Sequence, residues 1–316
     1  MKVFPWIQKH LVTSILISMF TGFIIGLYRD TRPLQFMTMI LTLFMVYPMM
    51  VTLNYQSLLK RGNPKLQITV QLINFLYLPL LAYIFGIIFF PENIHYRLGI
   101  LLIALLPTSG MTVSWTVMAK GNVSEAIRMI VIGLMLGGLL TPFFIRFYLG
   151  ASVSVSFGDI FYQIILIVFI PMLLGFLTQR GLIKVFSEEK FKSQFKPIFP
   201  YISTLALLLL LMLVMSFRAQ LLFNNPLILV ELLVPITLGY LVMLFSVHMI
   251  GIKFFNRNDR IALVNGTMIR SLSLALAIAL SVFTESGPVI AMVIALAYIV
   301  QVQLAAWYVR KMQKTL

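Results

Sequence analysis

The sequence predicts an all-α integral membrane protein, and its composition leaves no other class open. Of its 316 residues, 60% are hydrophobic and 10% are charged, whereas soluble chains are about 25% charged. The mean hydropathy is +1.00. The apolar residues fall into runs of the length, about 20 residues, that crosses a bilayer as a helix. We therefore expect the lipid bilayer to be the partner of most of the surface.

The chain divides into ten apolar segments that end at Pro, Gly or basic residues. The first segment has the basic start of a signal peptide, but no small-residue cleavage site follows it. Its Gly22 and Gly26 are spaced for close helix packing, so we interpret it as a membrane helix. In chain order, the predicted segments 1 to 10 are 11–27, 34–54, 66–90, 97–119, 124–147, 157–179, 197–216, 226–250, 259–282 and 287–309.

The basic residues test the number of segments, because cytoplasmic loops collect Lys and Arg. With the N-terminus inside, 17 of the 24 Lys and Arg residues fall in inner loops and termini, and five fall in outer loops. This bias predicts ten spans in the cell membrane with both termini cytoplasmic. The net charge of +15 would point to nucleic acid in a soluble protein. Here the loop bias accounts for it, and we expect no nucleic-acid partner.

Segments 4 and 9 each carry an interruption at about the same position. In segment 4 it contains Pro107, and in segment 9 it contains Gly266. Each segment is the fourth of five when the chain divides into residues 1–150 and 151–316. Because five helices separate the two interruptions, the second half is inverted across the membrane. The pattern predicts two inverted five-helix repeats, and matched breaks of this kind are the best sequence indicator of a transporter binding site.

A broken membrane helix frees backbone groups that hydrocarbon cannot satisfy. The N-termini of half-helices suit an anion, whereas their C-termini and loose carbonyls suit a cation. The alternative is that Ser and Thr merely bond back to carbonyls of a kinked helix, but two matched breaks favour a site. The candidate substrate-binding residues are Thr108, Ser109, Thr112, Asn265, Thr267 and Arg270.

Arg270 is the most informative single residue, since it lies near the middle of segment 9. An arginine at that depth costs roughly 2.5 to 3.5 kcal/mol, so it needs a partner and an interior or aqueous environment. One interpretation is a bidentate clamp on a carboxylate or oxyanion. The other is a structural pair with Glu231 or with carbonyls of segment 4.

Three further polar residues lie inside the segments as candidates for ion coupling. Glu231, near the start of segment 8, is suited to binding a cation or a proton, or equally to reaching interfacial water. For Asn74 in segment 3, helix packing is as good an explanation as ligand binding. Gln301 and Gln303 lie on opposite faces of segment 10, so at most one faces the same cavity. The candidates are Glu231, Asn74 and Gln301.

The sequence offers nothing typical of an enzyme. There are no cysteines, which excludes disulfides, thiolate metal sites and a cysteine nucleophile. The three histidines lack metal-ligand spacing, and no phosphate loop, nucleophile elbow or zinc motif is present. Glu125 and Arg128, three residues apart, are predicted to form an ion pair along one helix face. We expect no metal site and no cofactor, with sodium or proton coupling left open.

Several motifs resemble the bile acid–sodium symporter superfamily, and within it the arsenite efflux permease branch. The resemblance covers essentially the whole chain. It implies ten helices in two inverted repeats, with segments 4 and 9 broken and crossing. The motifs are Phe44–Met49, Asn74–Pro79, Pro107–Trp115, Ala119–Asn122 and Arg270–Ala275.

The resemblance also implies functional positions at which this chain has other residues. The functional cysteine of the arsenite permeases corresponds to Thr108, and their glutamate in segment 10 corresponds to Gln301. The sodium-binding Glu and Gln of the bile acid transporters correspond to about Gly266 and Arg270. The resemblance therefore implies that this chain lacks the sodium-binding carboxylate and has the positive charge of Arg270 nearby. Their glutamine in segment 3 corresponds to Asn74.

Together these observations predict a secondary transporter of a small anionic or polar solute, working by alternating access around segments 4 and 9. The alternative is arsenite or antimonite efflux, in which hydroxyls replace the absent soft thiolate. A third hypothesis is a receptor that binds its ligand without moving it across the membrane. No oligomeric state is predicted.

Overall fold

The computed structural model describes residues 10–55, 62–150, 156–283 and 285–314. This part of the chain is almost entirely helical and contains no β-strand, which confirms an all-α protein. Among the described residues, nine helices are long and apolar enough to cross a membrane, and a bent pair of shorter helices makes ten when counted as one span. The chain is therefore a multi-pass membrane protein.

The first five segments form seven helices. A 3₁₀ turn, Arg32–Phe36, precedes α2. The helices are α1 (Leu11–Tyr28), α2 (Met37–Val51), α3 (Pro64–Leu72), α4 (Leu78–Phe89), α5 (Ile94–Leu105), α6 (Gly110–Met118) and α7 (Val123–Leu149).

The last five segments form nine helices, of which two are short connectors. A π turn, Phe191–Phe195, follows the connector α10. The helices are α8 (Phe157–Ile164), α9 (Ile170–Phe186), α10 (Glu188–Lys190), α11 (Ile198–Phe217), α12 (Ala219–Asn224), α13 (Leu227–Phe254), α14 (Arg257–Met268), α15 (Leu272–Val282) and α16 (Gly287–Lys314).

Segments 3 and 6 each contain a wide π turn just before a proline. Ile73–Tyr77 joins α3 to α4, and Ile165–Phe169 joins α8 to α9. Pro79 and Pro171 lack a backbone N–H, and their rings crowd the carbonyl four residues earlier, which lies within each π turn. The wider turn relieves this crowding and keeps the helix continuous.

The first helix packs tightly against α11. A Cβ on Gly22 would lie 2.0 Å from the carbonyl oxygen of Met212, and one on Gly26 would lie 2.1 Å from that of Ser216. Only glycine permits this approach of two backbones, so the packing role predicted for the glycine pair is confirmed. The same helix, α11, also packs against α2, and α2 packs against α9.

Segment 9, formed by α14 and α15, is the most enclosed part of the bundle. Within its apolar window 94% of the residues are buried, against 28% in α1. Its neighbours include α7, α13 and α16, and α16 also packs against α5 of segment 4. Segment 9 therefore lies at the centre of the protein, next to the helix that packs against α5.

Three helix N-termini meet in one polar cluster, which we call the asparagine cluster. Asn63, Asn122 and Asn256 cap α3, α7 and α14, each accepting a hydrogen bond from the N–H three residues later. All three side-chain amides also donate to the buried carboxylate of Asp259, at 3.1, 2.7 and 3.2 Å respectively. A buried carboxylate held by three neutral donors is well solvated by the protein, so it ties the three helix ends together.

The ion pair predicted at the start of α7 is confirmed. Arg128 donates to the carboxylate of Glu125, and both side chains are buried. Gln67 also donates to this carboxylate, at 2.6 Å. The ion pair is therefore buried inside the protein, and its carboxylate links α7 to Gln67 of α3.

Candidate functional site

The interruption in segment 4 separates α5 from α6. Helix α5 ends at Leu105, α6 begins at Gly110, and the two halves are bent by 60°. Thr108 lies in the left-handed region, with φ of 53°, which costs a non-glycine residue roughly 1–2 kcal/mol. Its hydroxyl donates to the carbonyl of Met129 in α7 at 3.3 Å, which holds the turn in place. The side chain thus supports the break.

The interruption in segment 9 lies at residues 269–271, between Met268 and Leu272. The sequence predicts the interruption within residues 263–270, and the observed break overlaps the C-terminal end of that stretch, whereas Gly266 itself is helical. A Cβ at Gly266 would lie 2.5 Å from the sulfur of Met129. The glycine therefore lies in close contact with α7.

A glutamine side chain holds the backbone of this second interruption. The N–H of Arg270 donates to Oε1 of Gln301 at 2.8 Å, and Nε2 of Gln301 donates back to the carbonyl of Arg270 at 3.3 Å. The hydroxyl of Tyr240 donates to the same Oε1 at 2.9 Å. Both backbone groups that the break frees at Arg270 are thus satisfied within the protein, as a membrane interior requires.

The two interruptions are joined directly. Ser271 donates its backbone N–H to the carbonyl of Leu106 at 2.8 Å. The guanidinium group of Arg270 donates through Nε to the carbonyl of Ile103 at 3.1 Å, and through Nη2 to the carbonyl of Ala104. Segment 9 therefore caps the carbonyl end of α5, whose last carbonyls have no partner within their own helix.

The remaining contacts of the guanidinium group come from segments 3 and 9. Its Nη1 donates to Oδ1 of Asn74 at 2.6 Å and to the carbonyl of Thr267 at 3.2 Å. Among the described residues no carboxylate lies within 4 Å of Arg270. Of the two structural partners considered for Arg270, the carbonyls of segment 4 are the ones in contact, because the side chain of Glu231 is exposed on α13.

The other polar candidates form contacts between segments 3, 4 and 9. Asn265 donates through Nδ2 to the hydroxyl of Thr116 at 3.2 Å, and Asn74 donates to the carbonyl of Gly266 at 3.3 Å. The hydroxyl of Thr267 bonds back to carbonyls of its own helix at 3.0 Å. Thr267 therefore shows the back-bonding considered above as an alternative to ligand contact.

Three buried polar atoms near the interruptions have no partner within the described part of the chain. They are the hydroxyl oxygens of Ser109 and Ser271 and Oδ1 of Asn265. The two serines immediately precede α6 and α15, where the first N–H groups of a helix carry partial positive charge. Buried polar atoms are normally hydrogen-bonded, so these three atoms and the two helix N-termini are suited to a polar or anionic ligand.

A small apolar cleft lies beside the site, between α4, α5 and α13. Of its lining residues only Tyr240 and Arg270 carry polar side chains. Tyr240 is not among the residues predicted from the sequence, although a tyrosine hydroxyl in the middle of an apolar helix normally finds a hydrogen-bond partner. The apolar wall keeps water from this side of Arg270 and strengthens its electrostatic interactions.

Comparison with known proteins gives a family match over most of the chain. The model of the Sodium Bile acid symporter family matches residues 39–225, which is more than half of the chain. The arsenical-resistance protein Acr3 of Alkaliphilus metalliredigens is 26% identical over 212 residues, covering 63% of this chain and 59% of that protein.

Two other relatives show the same range of similarity. An uncharacterized transporter of Synechocystis is 25% identical over 231 residues, covering 66% of this chain and 60% of that protein. Sodium/bile acid cotransporter 7-B of Xenopus laevis is 31% identical over 150 residues, covering 46% of this chain and 42% of that protein. The matches thus span less than two thirds of the length of each of these relatives.

Proposed function

The chain belongs to the sodium bile acid symporter family, and we propose that it is a secondary active transporter of a small anionic or polar solute. The observation that carries this proposal is the direct contact of the two interruptions, with two serine hydroxyls at the adjoining helix N-termini that have no partner among the described residues. Half-helices that meet inside a membrane are the usual setting of a transporter binding site.

The proposed architecture consists of two inverted five-helix repeats, residues 1–150 and 151–316, with segments 4 and 9 broken and crossing. Each interruption falls in the fourth segment of its half. The bias of Lys and Arg among the loops supports a position in the cell membrane with both termini cytoplasmic. Alternating access around the crossing then exposes the site to one side of the membrane at a time.

The proposed ligand contacts are those polar groups that face the interruptions. Ser109 and Thr112 lie at the start of α6, and Asn265 of α14 donates to Thr116 of the same helix, with an Oδ1 that has no partner in the described ranges. Thr108 and Thr267 shape the two breaks through their hydrogen bonds to backbone. Neutral donors at helix N-termini bind anions well, and we assign the substrate to this position.

We propose that Arg270 contributes its charge to substrate binding. Its side chain is 2% exposed, and four of the five N–H groups of a guanidinium already donate to protein oxygens. A bidentate clamp on a substrate needs two N–H groups, and only one is left, so Arg270 cannot form such a clamp in this conformation. The positive charge still acts on a nearby anion, because a low-dielectric surrounding screens it weakly.

For coupling, Asn74 and Gln301 contact Arg270 and position it, whereas Glu231 lies apart from them. We therefore propose Glu231 as the candidate carboxylate for proton coupling. Transport by Glu231→Gln is expected to lose its dependence on a pH gradient. Full retention of that dependence would remove Glu231 from the mechanism.

Arsenite or antimonite efflux is the second candidate function, and the similarity to the arsenical-resistance protein Acr3 favours it. Neutral arsenous acid carries hydroxyls that match the hydroxyls and amide at the interruptions. The chain contains no cysteine, so any such binding uses oxygen ligands, which are poorer than thiolates for a soft centre.

A thermal-shift screen of the purified protein in detergent tests these proposals. The panel contains carboxylates, oxyanions and arsenite, each in sodium and in potassium buffer. A ligand at about a hundred times its Kd adds roughly 2.7 kcal/mol to stability, which raises the melting temperature measurably. Stabilisation by one anion supports the proposed function, and stabilisation by arsenite alone supports the second candidate. A panel without any stabilising compound would contradict both.

A further inference from the structure

We infer that Arg270 is a tethered internal cation that fills an oxygen-lined cage between the two interruptions, so that no free metal cation binds there. The inference deepens the proposed function by assigning the cation of the site to the chain itself. Its first tests measure stability without substrate, so they stand or fall separately from transport.

The cage is formed by four neutral oxygen atoms around one guanidinium group. Nε contacts the carbonyl of Ile103 at 3.1 Å, and Nη2 contacts that of Ala104. Nη1 contacts Oδ1 of Asn74 at 2.6 Å and the carbonyl of Thr267 at 3.2 Å. Carbonyl and amide oxygens are the ligands by which proteins bind hard cations, and here every one of them is used by an arginine.

Two helix C-termini point at this cage. Ile103 and Ala104 lie in the last turn of α5, and Thr267 lies in the last turn of α14. The C-terminus of a helix carries partial negative charge, so the two ends together stabilise a cation. This explains how Arg270 remains buried although no carboxylate lies within 4 Å of it in the described ranges.

The backbone of Arg270 is also held in place by hydrogen bonds. Gln301 bonds both backbone groups of Arg270, and Tyr240 bonds Gln301 in turn. The backbone that carries the side chain is thereby held against α16 and α13. A guanidinium placed in this way cannot leave the cage without breaking these contacts or those to α5.

Sodium, which the family name implies, does not fit this place. All four cage oxygens already accept from the guanidinium group, and a second cation among them meets a like charge at short range. The position that the resemblance gives to a sodium-binding carboxylate is Gly266, where a Cβ would lie 2.5 Å from the sulfur of Met129. The chain thus lacks the charge of that ligand, and a side chain at Gly266 would displace the side chain of Met129.

Removing the side chain tests the cage by chemical rescue. Arg270→Ala leaves two helix ends and Asn74 facing each other without a cation, so we expect a lower melting temperature than for the wild type. Guanidinium or methylguanidinium chloride at millimolar concentration is expected to restore it, with tetramethylammonium chloride at equal ionic strength having no effect. Rescue by sodium or potassium supports the same cage, since their charge also fits between the oxygens.

Two variants serve as controls for this rescue. Arg270→Met fills the same space without charge, so we expect a low melting temperature that no added cation raises. Arg146→Ala removes an exposed arginine of α7 and is expected to respond to none of the salts. If Arg270→Ala melts like the wild type, or no small cation restores it beyond the tetramethylammonium control, the cage assignment is wrong.

The wild-type protein gives a second test that does not depend on a variant's folding. Its melting temperature is expected to be the same in sodium, potassium and choline chloride at equal ionic strength. Once a substrate is identified, its uptake is expected to proceed equally when sodium is replaced by choline. A sodium-specific rise in the melting temperature or a sodium requirement for uptake would overturn the inference. Uptake in sodium-free medium with no cation rescue of Arg270→Ala would overturn the cage and leave the transporter proposal intact.

Discussion

Ser271 donates its backbone N–H to the carbonyl oxygen of Leu106 at 2.8 Å, which joins the interruption of segment 9 to that of segment 4. Both residues are buried. A backbone bond between two interruptions satisfies groups that lipid cannot satisfy, and it keeps the starts of α6 and α15 close together. The proposed binding site and the proposed cation cage both include residues at these two interruptions.

The charge of Arg270 is expected to control affinity for an anionic solute. Arg270→Gln should lower that affinity by about tenfold or more, because interactions with a charged group contribute about 1.5–3 kcal/mol. Affinity for a neutral polar analogue should change little. Isothermal titration at a temperature well below melting measures both, with Arg146→Gln at an exposed position as control. Equal affinity of the wild type and Arg270→Gln for the anion would contradict the role of this charge.

The hydroxyls of Ser109 and Ser271 are expected to affect binding more than folding. Ser271→Ala should leave the free energy of unfolding within about 0.5 kcal/mol of the wild type, since its hydroxyl has no hydrogen-bond partner in the described part of the chain. Ser109→Ala should cost about 1 kcal/mol, because Ser109 is the N-cap of α6 and forms a capping box with Thr112. Each should lower substrate affinity by about fivefold, the effect of one hydrogen bond of about 1 kcal/mol.

Ser203 offers a matched control for these serines. Its hydroxyl is also buried and unpartnered, but it belongs to α11. Ser203→Ala should change neither stability nor affinity. A loss of affinity equal to that of the other two variants would show that the effect is not specific to the helix N-termini at the interruptions.

Gln301 is expected to be a stabilising residue of segment 10, and Gln303 is not. Gln301→Ala leaves the N–H of Arg270 and the hydroxyl of Tyr240 without this partner, whereas the carbonyl of Arg270 keeps its bond from the N–H of Leu272 at 3.0 Å. Each unsatisfied buried group costs about 1–3 kcal/mol, so we expect a loss of at least about 2 kcal/mol. Gln303 is exposed on the same helix, and Gln303→Ala should be near neutral. Unfolding followed by denaturant titration in detergent compares the two, and equal losses would contradict the assignment.

The asparagine cluster is expected to stabilise the ends of α3, α7 and α14. Asp259→Asn removes the charge that accepts three amide donors and should cost about 2–3 kcal/mol, since hydrogen bonds to charged groups are the strong ones. Glu188→Gln at the exposed pair with Lys192 should leave stability close to that of the wild type, because exposed ion pairs are screened by solvent. Similar melting temperatures for the two variants would exclude the cluster as a stabilising contact.

Sequence patterns were sufficient for the membrane class and for the regions of the ten segments. The bilayer alone determines the length of the apolar runs and the placement of Pro, Gly and basic residues at the segment ends. These features can therefore be recognised in the sequence without knowledge of tertiary contacts. Pairs close in sequence were also predictable: Gly22 with Gly26, and Glu125 with Arg128, have the spacing of one helix face.

Contacts between distant segments were harder to predict from the sequence. Arg270 was recognisable from its depth in segment 9, and carbonyls of segment 4 were among its expected partners. The sequence did not distinguish these carbonyls from Glu231 as the partner, and it gave no reason to expect the contact with Asn74. The break was predicted within 263–270, and the sequence did not show that the helix continues past Gly266 to Met268. Tyr240 was missed because its partner Gln301 lies 61 residues away.

The most direct test of the central proposal is solute counterflow in sealed proteoliposomes. Vesicles containing the wild-type protein are loaded with the anion identified by thermal shift, and entry of the labelled anion is measured. We predict accumulation above the level of protein-free vesicles, and strongly reduced accumulation with Ser109→Ala/Ser271→Ala. A protein that binds the anion in detergent but moves none of it across the sealed membrane would contradict the account and identify the chain as a receptor.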